Sequence, residues 1–368
     1  MGCPEVAERN PLNTICPYYT MFPLEFPLGQ LRGANARDWV LDPFCGRGTT
    51  VYAARLLGLR SVGVDSNPVA AAIADAKLVS VRPSEVMKAA TDILATLDRR
   101  PIDVPNGEFW QWCYHPDTLR DLCVLRAALL TERPTHPIRA LRAFLLGRLH
   151  GPLANGDASY LSNQMPRTYA SKPGYSVKYW QSRGMRPPKV DVVDLIRRKV
   201  KHYFARLPRN PGGHIVCGDS RKVTLGKLRA RWVVTSPPYY GMRTYVPDQW
   251  LRYWFLGGPA DVAYTFDQQL QHSSPETFKE QLAQVWRNVG TACTPGARMV
   301  IRFGGIHDRK AEPRDLLRES IRHASCGWRL LTARSAGLAT YGRRQVVQFM
   351  TTPEKPIEEY DFYARLEN

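Results

Sequence analysis

Short strand-like segments, separated by glycine turns and small-residue helical stretches, occupy both ends of the chain, while a helical texture fills its middle. Trp39-Val40-Leu41 is an apolar run that stops at Asp42. A glycine-bearing turn leads to Thr50, and a small-residue helix is predicted over 51–57, with Gly58 placed to cap it. Residues 60–64 return as a second strand ending at Asp65. Strand, glycine turn, helix, strand and acid make the layout of a nucleoside-binding α/β half. The same texture returns at His214–Cys217, before Gly218-Asp219, and at 231–235, which runs into Ser236-Pro237-Pro238-Tyr239. Ser274-Pro275-Glu276 opens a helix whose stripe is Phe278, Leu282, Val285, Trp286 and Val289. Three further strands are predicted at 298–303, 328–331 and 345–350. Between 80 and 210 helical patterns dominate, 151–189 reads as extended loops, and a helix from Asp191 carries Val193, Ile196, Val200 and Tyr203 on one face.

The expected fold is α/β: a Rossmann-like sheet, mostly parallel with one antiparallel strand, split in sequence by a mostly helical insertion. Residues 1–79 and 211–368 would form the split domain, and 80–210 the insertion.

Charge changes the picture. The 368 residues carry a formal net charge of +18, an excess that points to a polyanionic partner, nucleic acid being the commonest. The basic excess is concentrated in the insertion, where residues 159–210 hold twelve Lys and Arg against two Asp, interleaved with Tyr and Trp. Cations there can neutralise phosphates and aromatics can stack on bases. Arg167, Lys172, Lys178, Arg183, Arg197, Arg198 and Lys201 are the candidates, with a solvated basic face as the plain alternative. Eight scattered cysteines show no close pair, so no metal site is expected. The chain shows neither an apolar leader nor a run long enough to span a membrane, so a cytoplasmic protein of a bacterial or phage-type host is expected.

Two motifs carry the chemistry. The first is Asp42-Pro43-Phe44-Cys45-Gly46-Arg47-Gly48-Thr49-Thr50, where a strand meets a helix. Its glycines let a ligand approach the backbone and its helix start offers free N–H groups. Asp65, about 20 residues on, can accept both hydroxyls of a ribose. The second motif is Thr235-Ser236-Pro237-Pro238-Tyr239. Two prolines stiffen it and remove N–H donors, leaving a hydroxyl, a carbonyl and an aromatic ring that suit a planar base bearing an NH₂ group.

Together, in this order, the motifs resemble the amino-methyltransferases of DNA, whose cofactor motif has the form Asp-Pro-Phe-x-Gly-x-Gly-Thr and whose catalytic motif is (Ser/Asp/Asn)-Pro-Pro-(Tyr/Phe/Trp). Pro17-Tyr18-Tyr19-Thr20-Met21-Phe22-Pro23 resembles the segment that packs over the cofactor's methionine end, and Gly218-Asp219-Ser220 the acidic turn near its adenine. The resemblance implies S-adenosylmethionine as cofactor, bound by Thr20, Phe22, Asp42, Phe44, Gly46, Gly48, Thr49, Thr50, Asp65, Asp219 and Thr235. It implies double-stranded DNA as substrate, with the target base flipped out and the insertion recognising the site. A cognate restriction or defence system would be a further partner. Ser236 and the Pro237 carbonyl would accept hydrogen bonds from the exocyclic amine, with Pro238 stiffening the loop and Tyr239 stacking on the base. Ser at the first catalytic position leans to N4 of cytosine over N6 of adenine. Methylation at C5 of cytosine would need a thiolate in that loop, which has none. An RNA methyltransferase acting on guanine N2 is the first alternative, since those enzymes have similar motifs but usually Asp or Asn before the prolines. A DNA-binding module that has lost catalysis is the second, and the intact motifs argue against it.

Overall fold

In a computed structural model, residues 11–18, 22–96, 102–152, 158–165, 170–241, 247–262, 269–305, 312–338 and 358–367 are described. Their strands are β1 (Trp39–Asp42), β2 (Arg60–Asp65), β3 (Gly213–Cys217), β4 (Ala230–Thr235), β5 (Cys293–Gly304), β6 (Trp328–Leu338) and β7 (Glu358–Leu366). They form one seven-stranded sheet in the order β3-β2-β1-β4-β5-β7-β6. The first five neighbours pair in parallel, and β7 runs antiparallel to both β5 and β6. The expected Rossmann-like sheet with one reversed strand is therefore present. The strand expected at 345–350 lies outside the described residues. The reversed strand is β7, whose alternation of Tyr360, Phe362, Ala364 and Leu366 is that of a half-buried strand.

Strand alternation sorts the core into two faces. Val40, Val234 and Val300 point into one apolar cluster, while their neighbours Leu41, Val233 and Ile301 point into another. The helices Pro275–Thr291 and Pro313–Ala324 cover the second face. Ser274 starts the longer of them by accepting from the Thr277 N–H at 3.1 Å. The first face takes the helices Thr49–Leu56 and Pro68–Asp75 and, continuous with them, the helices between 83 and 204. The insertion is thus built onto the sheet's own core. An aromatic cluster joins it to the helix Trp250–Phe255 just beyond the catalytic motif: Trp110 lies 4.5 Å from Trp254, and Phe109 lies 4.8 Å from Trp250. No helix among the described residues is long and apolar enough to cross a membrane.

One local expectation needs correction. Inside the stretch read as loops, residues Pro173–Gln181 form a helix. Pro173 is preset for a first helical position, and Val177 and Trp180, three apart, bury one face. The Trp180 indole N–H donates to the Gln164 carbonyl at 2.9 Å. The helix Val192–Phe204 starts, as expected, at Asp191, which accepts from the Asp194 N–H at 2.9 Å. Its buried side is Val192, Leu195, Ile196, Val200, Tyr203 and Phe204, while Val193 is only half-buried.

Candidate active site

β1 and β4 are neighbours, so the segments that leave their carboxyl ends emerge side by side. The motif after β1 and the motif after β4 consequently line one cavity, the position where open parallel sheets bind ligands. Phe44, Gly46 and Thr49 stand on its wall with Asp42 and Asp65, and Ser236 and Pro238 face them. Phe22 and Asp219 also line it.

Hydrogen bonds tie the two motifs together. The Asp42 carboxylate accepts from the Thr235 hydroxyl at 2.6 Å and from the Phe44 N–H at 3.1 Å. The Thr50 hydroxyl donates to the Val234 carbonyl at 3.1 Å. Thr50 and Thr235 are thereby fully buried stitches between the motifs and not part of the cavity wall. Gly48 has a similar structural position: its φ is +81°, and a Cβ there would lie 2.9 Å from Ala74 Cα. Asp65 accepts from the Gly46 N–H and the Asn67 N–H, both at 2.8 Å, and so holds the turn open. Burial raises the pKa of Asp42 and of Asp65 to about 6 against the hydrogen bonds that lower it. Asp219 is paired with Arg221 at 2.7 Å.

Ser236 is the opposite case. It is 7% exposed, and its Oγ is sealed from solvent with no hydrogen-bond partner among the described residues. A buried hydroxyl without a partner costs about 1–3 kcal/mol, which a ligand donating to it would recover.

Tyr239 differs from expectation. Its ring is 1% exposed, meets Phe303 edge-on at 5.5 Å, and is not on the cavity wall. Its hydroxyl donates at 2.5 Å to Glu359 of β7, itself 2% exposed. A buried carboxylate requires such a donor, so Tyr239 is held as an anchor of the loop and not presented for stacking. Pro237 is buried beside it. The loop has a second anchor, since the Gly241 N–H donates to His272 Nδ1 at 3.0 Å.

Thr20 and Arg167 lie outside the described residues. Lys172, Lys178, Arg183, Arg197, Arg198 and Lys201 are all exposed and none lines the cavity. Arg183 lies 4.0 Å over the Tyr179 ring, and Arg197 and Arg198 both pair with Asp194, at 3.3 and 2.7 Å. Cavity residues that sequence reasoning missed include Tyr18, Arg47, Asn67, Ser220, His272 and Val285. Tyr18 and Arg47 lie inside the recognised segments; His272 and Val285 arrive from the far side of the fold and leave no local signal. Among the described residues no group of His, Cys, Asp and Glu is arranged to hold a metal ion.

The donor set fits S-adenosylmethionine. Asp65 offers acceptors for a ribose diol, Asp219 lies at the other side of the β2–β3 edge for an adenine amine, and the aromatic rings of Tyr18, Phe22 and Phe44 supply apolar wall. Residues 18–76 match the family described as DNA methylase, N6/N4 type. No curated protein matches the chain in sequence. Among solved structures, TrmN from Thermus thermophilus is similar at 10% identity and a TM-score of 0.36, over 98% of this chain and 53% of that one. This chain therefore spans about half the length of TrmN. The rRNA methyltransferase aviRa from Streptomyces viridochromogenes is similar at 13% identity and a TM-score of 0.36, over 95% and 87%. A SAM-dependent methyltransferase from Methanosarcina mazei is similar at 9% identity and a TM-score of 0.35, over 95% and 99%. The fold itself rests on the strand order and register given above. Over residues 18–76 the chain is thus similar to the N6/N4 DNA methylase family, and the residues that line the cavity fit S-adenosylmethionine as cofactor.

Proposed function

We propose that this protein methylates the exocyclic amine of a flipped base in double-stranded DNA, with N4 of cytosine preferred over N6 of adenine. The observation that carries the reading is the unpartnered Ser236 hydroxyl, buried in the same cavity as the Gly46 turn and Asp65. The bound cofactor supplies an electrophilic methyl group. The chain's own residues supply position and polarity. Ser236 Oγ accepts a hydrogen bond from the amine and draws its lone pair out of conjugation with the ring. The Pro237 carbonyl is the second acceptor. Tyr239 and His272 fix the loop, so that little reorganisation is needed at the moment of reaction. The amine held by Ser236 would take up the methyl group that the cofactor supplies, and its surplus proton would leave to water.

An exocyclic amine inside a duplex cannot reach a hydroxyl this deeply set, so the base must leave the stack at a cost of a few kcal/mol. Basic contacts from the insertion, Lys178 and Lys201 among them, would offset that cost through the phosphates. The Ser at the first catalytic position supports the cytosine preference through the family's motif.

Incubation with tritiated S-adenosylmethionine tests the reading. Duplex DNA should be labelled and transfer RNA should not, and nucleoside digestion should return N4-methylcytosine. Label in transfer RNA alone would replace the DNA assignment with an RNA one.

A further inference from the structure

Behind the cofactor turn lies a group of basic side chains gathered around Cys16. Cys16, fully buried, has Arg252, Arg148, Arg47 and Lys77 as its charged neighbours. Three of these basic groups are engaged with the backbone or neutral side chains, and burial pushes one of them, Lys77, well toward its neutral form. Lys77, fully buried, donates to the Asn13 carbonyl at 3.2 Å and its side-chain oxygen at 2.7 Å. Arg252, 1% exposed, donates to the carbonyls of Leu146 at 3.1 Å and Pro17 at 2.6 Å, and to Gln249 at 2.6 Å. Arg148 donates to the Ser159 carbonyl at 3.3 Å and to the Tyr203 hydroxyl. His150, 1% exposed, has no partner on either ring nitrogen, and burial with the nearby Arg252 charge holds it neutral.

Arg47 is different. It lines the cavity beside Tyr18, yet makes no hydrogen bond or ion pair with any described residue, and its Nε is sealed from solvent. Burial lowers its pKa to about 10, and the only group set against that shift is the Cys16 thiol. A guanidinium in this setting, with like charges behind it, is costly unless an anion joins it.

We infer that Arg47 binds the carboxylate at the methionyl end of the cofactor, with Arg148 and Arg252 supplying a positive field behind it. The inference rests on S-adenosylmethionine being the cofactor, not on DNA being the substrate. Depth decides between anions. A phosphate of a nucleic acid chain is borne on a polymer that stays at the surface, whereas the cofactor's carboxylate ends a small molecule that enters the cavity. Charge placement agrees. Asp65 is available to the ribose and Asp42 to the methionyl ammonium, and Arg47 is left for the carboxylate. Arg47 occupies the second variable position of the Asp-Pro-Phe-x-Gly-x-Gly-Thr motif, so this contact would be a property of this chain and not of the motif.

Calorimetry on the full chain without nucleic acid tests the inference, using S-adenosylmethionine, its decarboxylated analogue and 5′-methylthioadenosine. The unaltered protein should prefer the carboxylated cofactor over the decarboxylated one by about 10- to 100-fold, the range for a hydrogen bond to a charged group. Arg47→Ala should remove that preference while leaving affinity for the other two ligands within about twofold, and Arg47→Lys should restore part of it as a point charge without the fork. Equal loss for all three ligands would make Arg47 structural and overturn the inference. So would an undiminished preference for the carboxylated cofactor in Arg47→Ala, which would place the carboxylate elsewhere in the cavity. If the unaltered protein binds none of the three, the cofactor assignment falls and the inference with it.

Discussion

The two walls of the cavity differ in how far they satisfy themselves. On the cofactor wall, Asp42 and Asp65 each accept two hydrogen bonds from within the chain, and those bonds set the shape of the Gly46 turn. On the opposite wall, Ser236 has none among the described residues, although Tyr239 and Gly241 on the same loop are held. Satisfied groups build the site; unsatisfied ones are where a ligand recovers free energy that folding left unclaimed. The largest break of this contrast is expected from Ser236→Ala. Turnover should fall about 10²- to 10³-fold, the usual loss for one polar contact made in the transition state. Cofactor affinity by calorimetry should stay the same, because Ser236 carries no contact on the cofactor wall. A matching loss of cofactor affinity would show that the two walls are not separable.

Asp65→Ala comes next. It removes the ribose acceptor and also the two bonds that shape the turn, so S-adenosylmethionine affinity should drop about 10- to 100-fold. Asp65→Asn keeps one acceptor oxygen and should fall between. Equal affinity in all three proteins would remove Asp65 from the site.

A smaller effect is expected from pH, and here two readouts should move oppositely. Burial leaves Asp42 and Asp65 with pKa values of about 6. A ribose diol donates to the ionised carboxylate, so cofactor affinity should be full above pH 6 and weaken below it. The slope approaches about tenfold per unit for each carboxylate that must lose a proton. Folding of the free protein has the reverse sign. A carboxyl whose folded pKa is raised contributes stability that is fully present below its unfolded value and is lost as pH rises through about 6. Calorimetry between pH 5 and 8 checks the first arm, and Asp65→Asn should flatten it.

The contrast between the walls also divides what was legible in the sequence from what was not. Asp42, Asp65 and Ser236 were legible because each sits at the carboxyl end of an apolar run, where a parallel sheet delivers its ligands. The reversed strand was expected as a feature of the fold but not placed at Glu358–Leu366, although its alternation was there to read. The motif's aromatic ring suggests a base-facing role for Tyr239. Its true neighbours, Phe303 and Glu359, come from strands far along the chain, and only the packed sheet shows that a buried carboxylate claims its hydroxyl. Arg47 lay inside a recognised motif as a variable letter. Its isolation depends on Cys16, Lys77, Arg148 and Arg252 meeting behind it, which no local pattern encodes.

The smallest effect belongs to the insertion, and the same distinction between engaged and unengaged groups orders it. Arg197 and Arg198 share Asp194 on the exposed side of the helix Val192–Phe204, at 3.3 and 2.7 Å. Among the described residues, Lys201, one turn on, and Lys178 have no such partner. A cation already paired with a carboxylate must break that pair before meeting a phosphate, whereas an unpaired one loses only water and counterions. If the insertion lies along DNA, Lys201→Ala should weaken duplex binding several-fold and lower the slope of log affinity against log salt by about 0.9, the value for one phosphate contact. Arg198→Ala should change the slope less, and Asp194→Ala should raise it by freeing both arginines. Fluorescence anisotropy with a labelled duplex across a salt series reads all three. An unchanged slope in every variant would make this helix a solvated basic face and place the DNA elsewhere on the molecule.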